Sequence, residues 1–412
     1  MSPATTAAPV ALVLAGGAAR GAYEVGVVQH ILEEVSKDLA RDVPLDILCG
    51  TSIGALNACA LAAFADEPRA RAARLVDIWT RLRVEELVQP DVRGILSMGT
   101  RWLRGTRDAA SVPAREGGIV DPEGLERLIE SEIPFAAIDG HMRRGLLDAL
   151  TVSTTHVASG RTVVYVQRAQ GDLPPWSLDP TITPRAAQIT SRHAFASAAI
   201  PILFRAVRLD GEFHCDGGLR QNVPLSPARR LGARGVIVVN PRFIGAPPAE
   251  DAARQEDMFP GPLFLLGKTL NALLLDRIDT DLARLRSIND ILEAGKRRYG
   301  DGFVDEINEA LGHKKGRGMR PMRSILIRTS QDIGKLASEY VRSPLFAKRV
   351  GGGAGRLLRR LGEREAKDES DLLSYVLFDG EFARQLIEVG RQDARARHAE
   401  LCAFFDAMSK ET

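Results

Sequence analysis

The stretch that decides the fold is Cys49-Gly50-Thr51-Ser52-Ile53-Gly54-Ala55-Leu56, in which a serine stands between two glycines. The largely apolar run at 43–49 predicts a buried strand, and the Ala- and Leu-rich run at 55–64 predicts a helix. A G-x-S-x-G sequence at such a junction is typical of a nucleophile elbow, because the glycines allow a tight turn that exposes the serine hydroxyl. The helix N-terminus behind it favours negative charge on the serine oxygen. The stretch therefore predicts Ser52 as a nucleophile.

The bulk composition is that of an ordinary globular protein. The chain has 412 residues, 45% of them hydrophobic, and its 55 Lys and Arg residues nearly balance its 53 Asp and Glu residues. This balance does not favour a nucleic-acid partner. No apolar run reaches membrane-spanning length, and the N-terminus lacks the basic start of a signal peptide. We expect a cytoplasmic protein with reduced cysteines, namely Cys49, Cys59, Cys215 and Cys402.

The first 64 residues contain the same pattern twice. Residues 10–15 form a continuous apolar run, residues 16–21 are rich in glycine, and residues 22–35 have helical periodicity. The segment 43–64 repeats the order of strand, turn and helix. Two such units in succession predict a parallel sheet with crossover helices, an α/β fold.

The rest of the chain suggests how this α/β fold is completed. Residues 150–156 and 162–166 read as a hairpin, and 235–240 and 324–328 read as further strands. The organisation predicted from these patterns is an α/β core at 8–245, a mainly helical insertion at 246–323, a late strand at 324–330 that closes the core, and a helical C-terminal extension at 331–412.

A serine nucleophile needs a site that stabilises the oxyanion of the tetrahedral intermediate. The glycine-rich turn after the first strand is the natural candidate, because successive backbone N–H groups at a helix N-terminus can converge on one point. The alternative is a plain tight turn with Arg20 at the surface. A dinucleotide site is a further alternative, but G-x-G-x-x-G requires glycine where the chain has Ala18.

The nucleophile also needs a base, for which chemistry accepts a histidine or a carboxylate. Asp216 is the most suggestive carboxylate, because it ends an apolar run and is followed by Gly217 and Gly218. Taken alone, this is an everyday Asp-Gly turn. His214, on the same side of a strand as Asp216, and His193 are alternatives that would complete a triad.

Four segments together resemble the patatin-like phospholipases. They are 14–23, the 50–54 elbow, 196–201 and 216–218, in an order and spacing similar to that family over about residues 10–226. The resemblance implies a three-layer α/β/α sandwich and the hydrolysis of lipid acyl esters through an acyl-enzyme, with no metal or cofactor. It implies a dyad of Ser52 and Asp216. The oxyanion hole would be Gly16, Gly17, Ala18 and Ala19, and the supporting motif residues would be Arg20, Gly21, Gly50, Gly54, Gly217 and Gly218.

One position departs from the family pattern, since the family usually has a third consecutive glycine where this chain has Ala18. A methyl group disfavours positive φ by roughly 1 kcal/mol or more. The N–H of Ala18 would still point inward if its φ were negative.

Two surfaces are candidates for lipid contact. The apolar stretch 263–275 has helical periodicity, which indicates either core packing or a groove for an acyl chain. The stretch Leu345–Leu361 interleaves leucines with arginines, which is typical of a helix on a membrane surface but also of a solvated face. Aromatic residues are scarce near it, so nucleic-acid binding is not expected. Alternative functions are an acyltransferase, an esterase for soluble esters, or a catalytically silent lipid-binding regulator.

Overall fold

The computed structural model of the chain describes residues 8–87, 120–169, 173–174, 176, 180–201, 203–245, 278–312, 318–351, 355, 358–359 and 371–411. The predicted stretch 263–275 therefore lies outside the described residues. Within these ranges, no helix has the length and apolar character needed to cross a membrane.

A mixed sheet of nine strands, counted over the described residues, forms the centre of the molecule. The strand order is β5-β4-β3-β2-β1-β8-β9, with β7 paired to β3 and β6 paired to β7. Strands β3, β2, β1, β8 and β9 are parallel to one another, whereas the pairs β3–β4, β3–β7 and β6–β7 are antiparallel. The strands are β1 Val10–Leu14, β2 Ile47–Thr51, β3 Ala149–His156, β4 Thr162–Arg168, β5 Ile182–Ala186, β6 Val207–Leu209, β7 Glu212–Asp216, β8 Gly235–Asn240 and β9 Arg323–Arg328.

Helices cover both faces of this sheet. The helices are α1 Gly21–His30 (continued by a π-helical turn at Ile31–Val35 and by Ser36–Asp38), α2 Ile53–Ala63, α3 Ala70–Arg81, α4 Val84–Leu87, α5 Glu123–Glu132, α6 Phe135–Arg143, α7 Ser191–Ala198, α8 Leu225–Arg230, α9 Ile278–Tyr299, α10 Phe303–Ala310, α11 Ile333–Arg342, α12 Pro344–Arg349, α13 Asp371–Val376, α14 Gly380–Ala396 and α15 His398–Lys410. The predicted three-layer α/β/α arrangement is confirmed.

The buried strand β1 shows why both faces must be covered. Its side chains alternate, so that Leu12 and Leu14 pack with α1, α2 and α14 while Ala11 and Val13 pack with α8 and α9. A strand that is apolar on both sides is typical of a parallel sheet between two helical layers. The alternation of β1 therefore joins the two hydrophobic layers through the sheet.

The helices after residue 331 pack into the same hydrophobic core as the sheet. Helix α14 lies directly against α1, and the two helices touch through small residues. A Cβ atom at Gly26 would overlap the carbonyl oxygen of Ile387, and a Cβ atom at Gly390 would overlap that of Tyr23. The two glycines therefore permit a backbone-to-backbone approach that no other residue allows.

Most predicted strands lie where the patterns indicated, including the hairpin of β3 and β4 and the strand β8. The second strand is an exception, because it begins at Ile47 and not at Val43. Pro44 has no N–H to donate to a neighbouring strand. The carboxylate of Asp46 instead accepts the N–H of Val10, at 2.7 Å.

Candidate active site

The register of the sheet brings Ser52 and Asp216 together. On β3, Ser153 pairs with Thr51 of β2, and the next residue, Thr154, pairs with Asp216 of β7. Because β4 occupies the other edge of β3, strands β2 and β7 lie end to end along one edge. Ser52 directly follows β2 and Asp216 ends β7, so the two side chains meet where the strands meet.

The hydroxyl of Ser52 donates a hydrogen bond to Oδ2 of Asp216 at 2.6 Å. The other carboxylate oxygen, Oδ1, accepts the N–H of Gly218 at 2.7 Å. The backbone of Asp216 is also held, since its N–H donates to the carbonyl of Ala199 and its carbonyl accepts the hydroxyl of Thr155, both at 2.9 Å. Ser52 is only 3% exposed and Asp216 only 1%. The pair is therefore fixed in position and shielded from bulk water.

Ser52 stands on a strained turn, with φ 55° and ψ −127°. Positive φ is uncommon for a residue with a side chain, and such outliers concentrate at functional sites. The flanking glycines make the turn possible. A Cβ atom at Gly50 would overlap the backbone of Gly54, and a Cβ atom at Gly54 would overlap the carbonyl of Leu14.

Ser197 of α7 anchors the Ser52 turn through two hydrogen bonds. Its hydroxyl accepts the N–H of Ser52 at 2.8 Å and donates to the carbonyl oxygen of Ser153 at 2.6 Å. All three residues are buried. The segment that contains Ser197 is one of the four that carry the family resemblance, but its contact with the N–H of Ser52 depends on a meeting across 145 residues of sequence.

The glycine turn lies beside Ser52. A Cβ atom at Gly16 would come within 3.1 Å of the Cβ of Ser52, and the N–H of Gly16 donates to the carbonyl of Asn222. Residues Ala18–Arg20 form a short 3-10 turn that leads into α1. The first N–H groups of such a helical start have no acceptor within the helix. The turn thus offers amides next to the nucleophile.

Ala18 in this turn has φ +48°, so it adopts the left-handed conformation that glycine favours. A negative φ, the condition under which its N–H was expected to point inward, is not found. Ala18 nevertheless contributes to the wall of the cavity beside Ser52. The alanine therefore follows the backbone path suited to a glycine and bears the cost of its methyl group, about 1 kcal/mol or more.

Arg20 is buried, and the interpretation that it lies at the surface is wrong. Its Nε donates to the hydroxyl of Ser374 at 2.8 Å, and its guanidinium lies 4.1 Å from the ring centre of Tyr375. Both partners belong to α13, more than 350 residues later. A cation over an aromatic face is a stabilising contact, especially where water is excluded. The glycine turn is thereby tied to the C-terminal helices.

The remaining supporting glycines are also at close contacts. A Cβ atom at Gly21 would lie 2.6 Å from the side chain of Ile53, and one at Gly217 would overlap the carbonyl of Ser153. Gly218 supplies the N–H that binds the Asp216 carboxylate. These positions require glycine for space or supply backbone donors.

Burial raises the pKa of Asp216 to about 7, against the opposing effect of the hydrogen bonds from Ser52 and Gly218. Burial disfavours the charged carboxylate, whereas the two donors stabilise it. A carboxyl with this pKa is close to half ionised at neutral pH. It is therefore suited to accept a proton and to return it.

Neither candidate histidine contacts Ser52 in the hydrogen bonds of the described residues. His214 lies with Nδ1 3.0 Å from the Thr154 hydroxyl and Nε2 3.3 Å from the Tyr165 hydroxyl, and burial lowers its pKa to about 4. Nδ1 of His193 lies 2.9 Å from the hydroxyl of Thr190, with which it caps the start of α7. Both rings are thus engaged in holding the fold.

An apolar cavity, here called the first cavity, adjoins Ser52. Its empty volume is about 480 Å³, including the space open to solvent. Residues from five separate parts of the chain line it, including Ile200 and Phe204 after α7, Tyr375 in α13, and Phe378 between α13 and α14. The nucleophile therefore faces hydrocarbon side chains.

Known proteins show several similarities to the chain. It is 28% identical over 231 residues to the uncharacterized protein YjjU of Escherichia coli strain K12, a match that covers 56% of this chain and 51% of that protein. The chain thus spans about half the length of this curated relative. Among solved structures, VipD from Legionella pneumophila aligns over 91% of both chains with 12% identity and a TM-score of 0.28. Human group IVD cytosolic phospholipase A2, solved with methyl gamma-linolenyl fluorophosphonate, aligns over 98% of this chain and 60% of its own with 10% identity and a TM-score of 0.40.

The family itself is shown by a sequence model of the patatin-like phospholipases, which matches residues 12–229. This range contains the glycine turn, the Ser52 elbow, Ser197 and Asp216, and it amounts to more than half of the chain. The predicted resemblance is confirmed, and the chain belongs to the patatin-like phospholipase family.

Proposed function

We propose that the chain is a serine lipid acyl hydrolase of the phospholipase A or lysophospholipase type, with Ser52 as nucleophile and Asp216 as base. The observation that carries the proposal is the 2.6 Å hydrogen bond from the Ser52 hydroxyl to the Asp216 carboxylate beside an apolar cavity. Family membership supports the same reaction class.

The first half of the reaction forms an acyl-enzyme. Asp216 accepts the proton of Ser52 while Oγ attacks the ester carbonyl carbon, which gives a tetrahedral intermediate. N–H groups of Gly17, Ala18 and Ala19 stabilise its oxyanion, whereas the N–H of Gly16 already donates to the carbonyl of Asn222. The intermediate collapses when the bond to the alcohol oxygen breaks. That oxygen takes up the proton that Asp216 received from Ser52, and the alcohol or lysolipid departs.

The second half releases the fatty acid. Asp216 accepts a proton from a water molecule whose oxygen attacks the acyl carbonyl, and the new intermediate expels Oγ of Ser52. The serine regains its proton from Asp216, and the free enzyme is restored. Asp216 is thus base in the first step of each half and acid in the second, which suits a pKa of about 7.

The proposal keeps residues 8–245 with the late strand at 324–330 as the catalytic core, and it includes action at a membrane from the cytoplasmic side. Leu345, which is 43% exposed, and the exposed Lys348 are available for membrane contact, whereas Phe346 and Leu358 are buried in the protein. Flotation with liposomes tests this part. Binding that rises with the fraction of anionic lipid supports it, and binding that does not change counts against it.

Covalent labelling by a fluorophosphonate, followed by hydrolysis assays on a panel of phospholipids and lysolipids, tests the proposed reaction. We expect Ser52→Ala to abolish labelling and Asp216→Asn to abolish turnover, while His214→Ala and His193→Ala retain most of it. A folded Ser52→Ala protein that still hydrolyses esters would refute the assignment. Product analysis with and without a lysolipid acceptor distinguishes a hydrolase from an acyltransferase.

A further inference from the structure

A second apolar cavity lies behind the first one. Its empty volume is about 510 Å³, including the space open to solvent, and it is enclosed by α2, α3, α4 and α5. It shares the wall residues Ile53, Leu56, Leu125 and Phe378 with the first cavity. These four apolar side chains form a shared wall, so the second cavity is the next apolar space beyond the one that Ser52 lines.

Helix α2 runs from the first cavity to the second. Ser52 precedes the helix, Leu56 lies one turn into it and lines both cavities, and Ala60 lies two turns into it and lines only the second. At a rise of 1.5 Å per residue, Ala60 is about 12 Å along the helix axis from Ser52. A short acyl group bound to Ser52 would end in the first cavity, and only a long one would reach the second.

The polar groups in the lining of the second cavity already have partners. The amide nitrogen of Asn57 donates to Gly21 and Glu24, and its oxygen accepts the indole N–H of Trp79. Glu132 is paired with Arg81 at 3.0 Å. A water molecule in a cavity needs two or more polar partners, so this lining does not suit water and suits hydrocarbon.

We infer that the second cavity takes the distal part of the acyl chain and makes the site selective for long-chain acyl groups. This inference rests on the proposed function, since it assumes that the chain is attached to Ser52 during turnover. The selectivity follows from burial, because each methylene group moved from water into an apolar site contributes about 0.8 kcal/mol. Residues Ala60 and Ile78 would then limit the chain length.

The test measures how fast butyl and dodecyl fluorophosphonates label Ser52, and how fast butyrate and laurate esters are hydrolysed. We expect the intact chain to prefer the longer probe about tenfold or more. Ala60→Met fills the second cavity and lowers the dodecyl-to-butyl ratio about tenfold or more. Ile78→Trp does the same from the partly exposed helix α3, where an added ring is less of a threat to folding.

Val76→Trp is the matched control, because Val76 is a partly exposed residue of the same helix that does not line the second cavity. We expect the control to keep the ratio of the intact chain. The inference is overturned if the intact chain labels equally fast with both probes, or if neither cavity variant changes the ratio. Labelling by neither probe would refute the proposed function itself, whereas butyl labelling without length dependence refutes only this inference.

Discussion

At the scale of single residues, the Ser52–Asp216 contact makes activity depend on pH in one direction. The protonated carboxyl of Asp216 cannot accept the serine proton, and burial raises its pKa to about 7. We expect kcat/KM for a soluble ester to rise about tenfold per pH unit below pH about 7 and to level off above it. A profile that falls as the pH rises through this range would contradict the role of Asp216 as base.

Ser197 provides a second test at this scale. Ser197→Ala leaves the N–H of Ser52 and the carbonyl of Ser153 without their partner in a buried place, which costs about 1–3 kcal/mol of stability. Because the elbow then loses its anchor, we expect kcat to fall about tenfold or more. Urea denaturation and ester hydrolysis measure the two effects.

The control for this change is Ser338→Ala, in which another buried serine, in α11, is altered. It should keep kcat within about twofold, because Ser338 does not contact the elbow in the described hydrogen bonds. A Ser197→Ala protein with the same kcat as the intact chain would show that the elbow keeps its geometry without the two hydrogen bonds of Ser197.

At the scale of elements, the contact between α1 and α14 rests on Gly26 and Gly390. Gly26→Ala forces a methyl group against the carbonyl of Ile387, and we expect a loss of about 1–3 kcal/mol in the free energy of unfolding. Gly140→Ala is the matched control, because Gly140 also lies in a helix but has no atom near its added Cβ. That change should stabilise the protein by about 0.5–1 kcal/mol. Equal effects of both changes in urea denaturation would rule out close packing as the cause.

Sequence patterns predicted elements far better than contacts between distant elements. The two strand-turn-helix units at 10–64 were recognisable because apolar runs, glycines and helical periodicity are local signals. The elbow could be found for the same reason. The packing of Arg20 on Tyr375 could not, since both residues are unremarkable in their own segments and meet only through the fold. The same holds for Gly26, whose need for glycine comes from a helix more than 350 residues later.

The candidate site likewise contains features that a local sequence pattern predicts and features that only the fold reveals. Ser52 was predictable from its own motif, whereas Asp216 needed the family resemblance, because an Asp-Gly pair by itself indicates only a turn. The sheet register that joins them depends on β3, which pairs with both strands. The cavities were not predictable, since the wall of each combines residues of α2 with Phe378, which lies far away in the sequence.

At the scale of the whole molecule, the buried carboxyl of Asp216 links stability to pH. Its folded-state pKa of about 7 exceeds the value in an unfolded chain, so the folded state holds the proton more strongly. This contribution to stability is fully present below pH about 4 and is lost as the pH rises to about 7. We expect Asp216→Asn to become more stable relative to the intact chain across this interval, with no further change above it. Thermal unfolding at a series of pH values measures the difference in stability between the variant and the intact chain. A variant that loses stability relative to the intact chain as the pH rises from about 4 to about 7 would contradict the burial argument.

The order of synthesis matters for the first cavity, because two of its wall residues, Tyr375 and Phe378, are made late. The ribosome makes both members of the Ser52–Asp216 pair well before Tyr375 and Phe378, which complete the chamber around them. A nascent chain that stops at residue 350 thus carries the reactive pair without an enclosed place for a lipid tail. Such a stalled chain should be labelled by the dodecyl probe no faster than by the butyl one, so lipid attack would wait until residues 375–378 have been made.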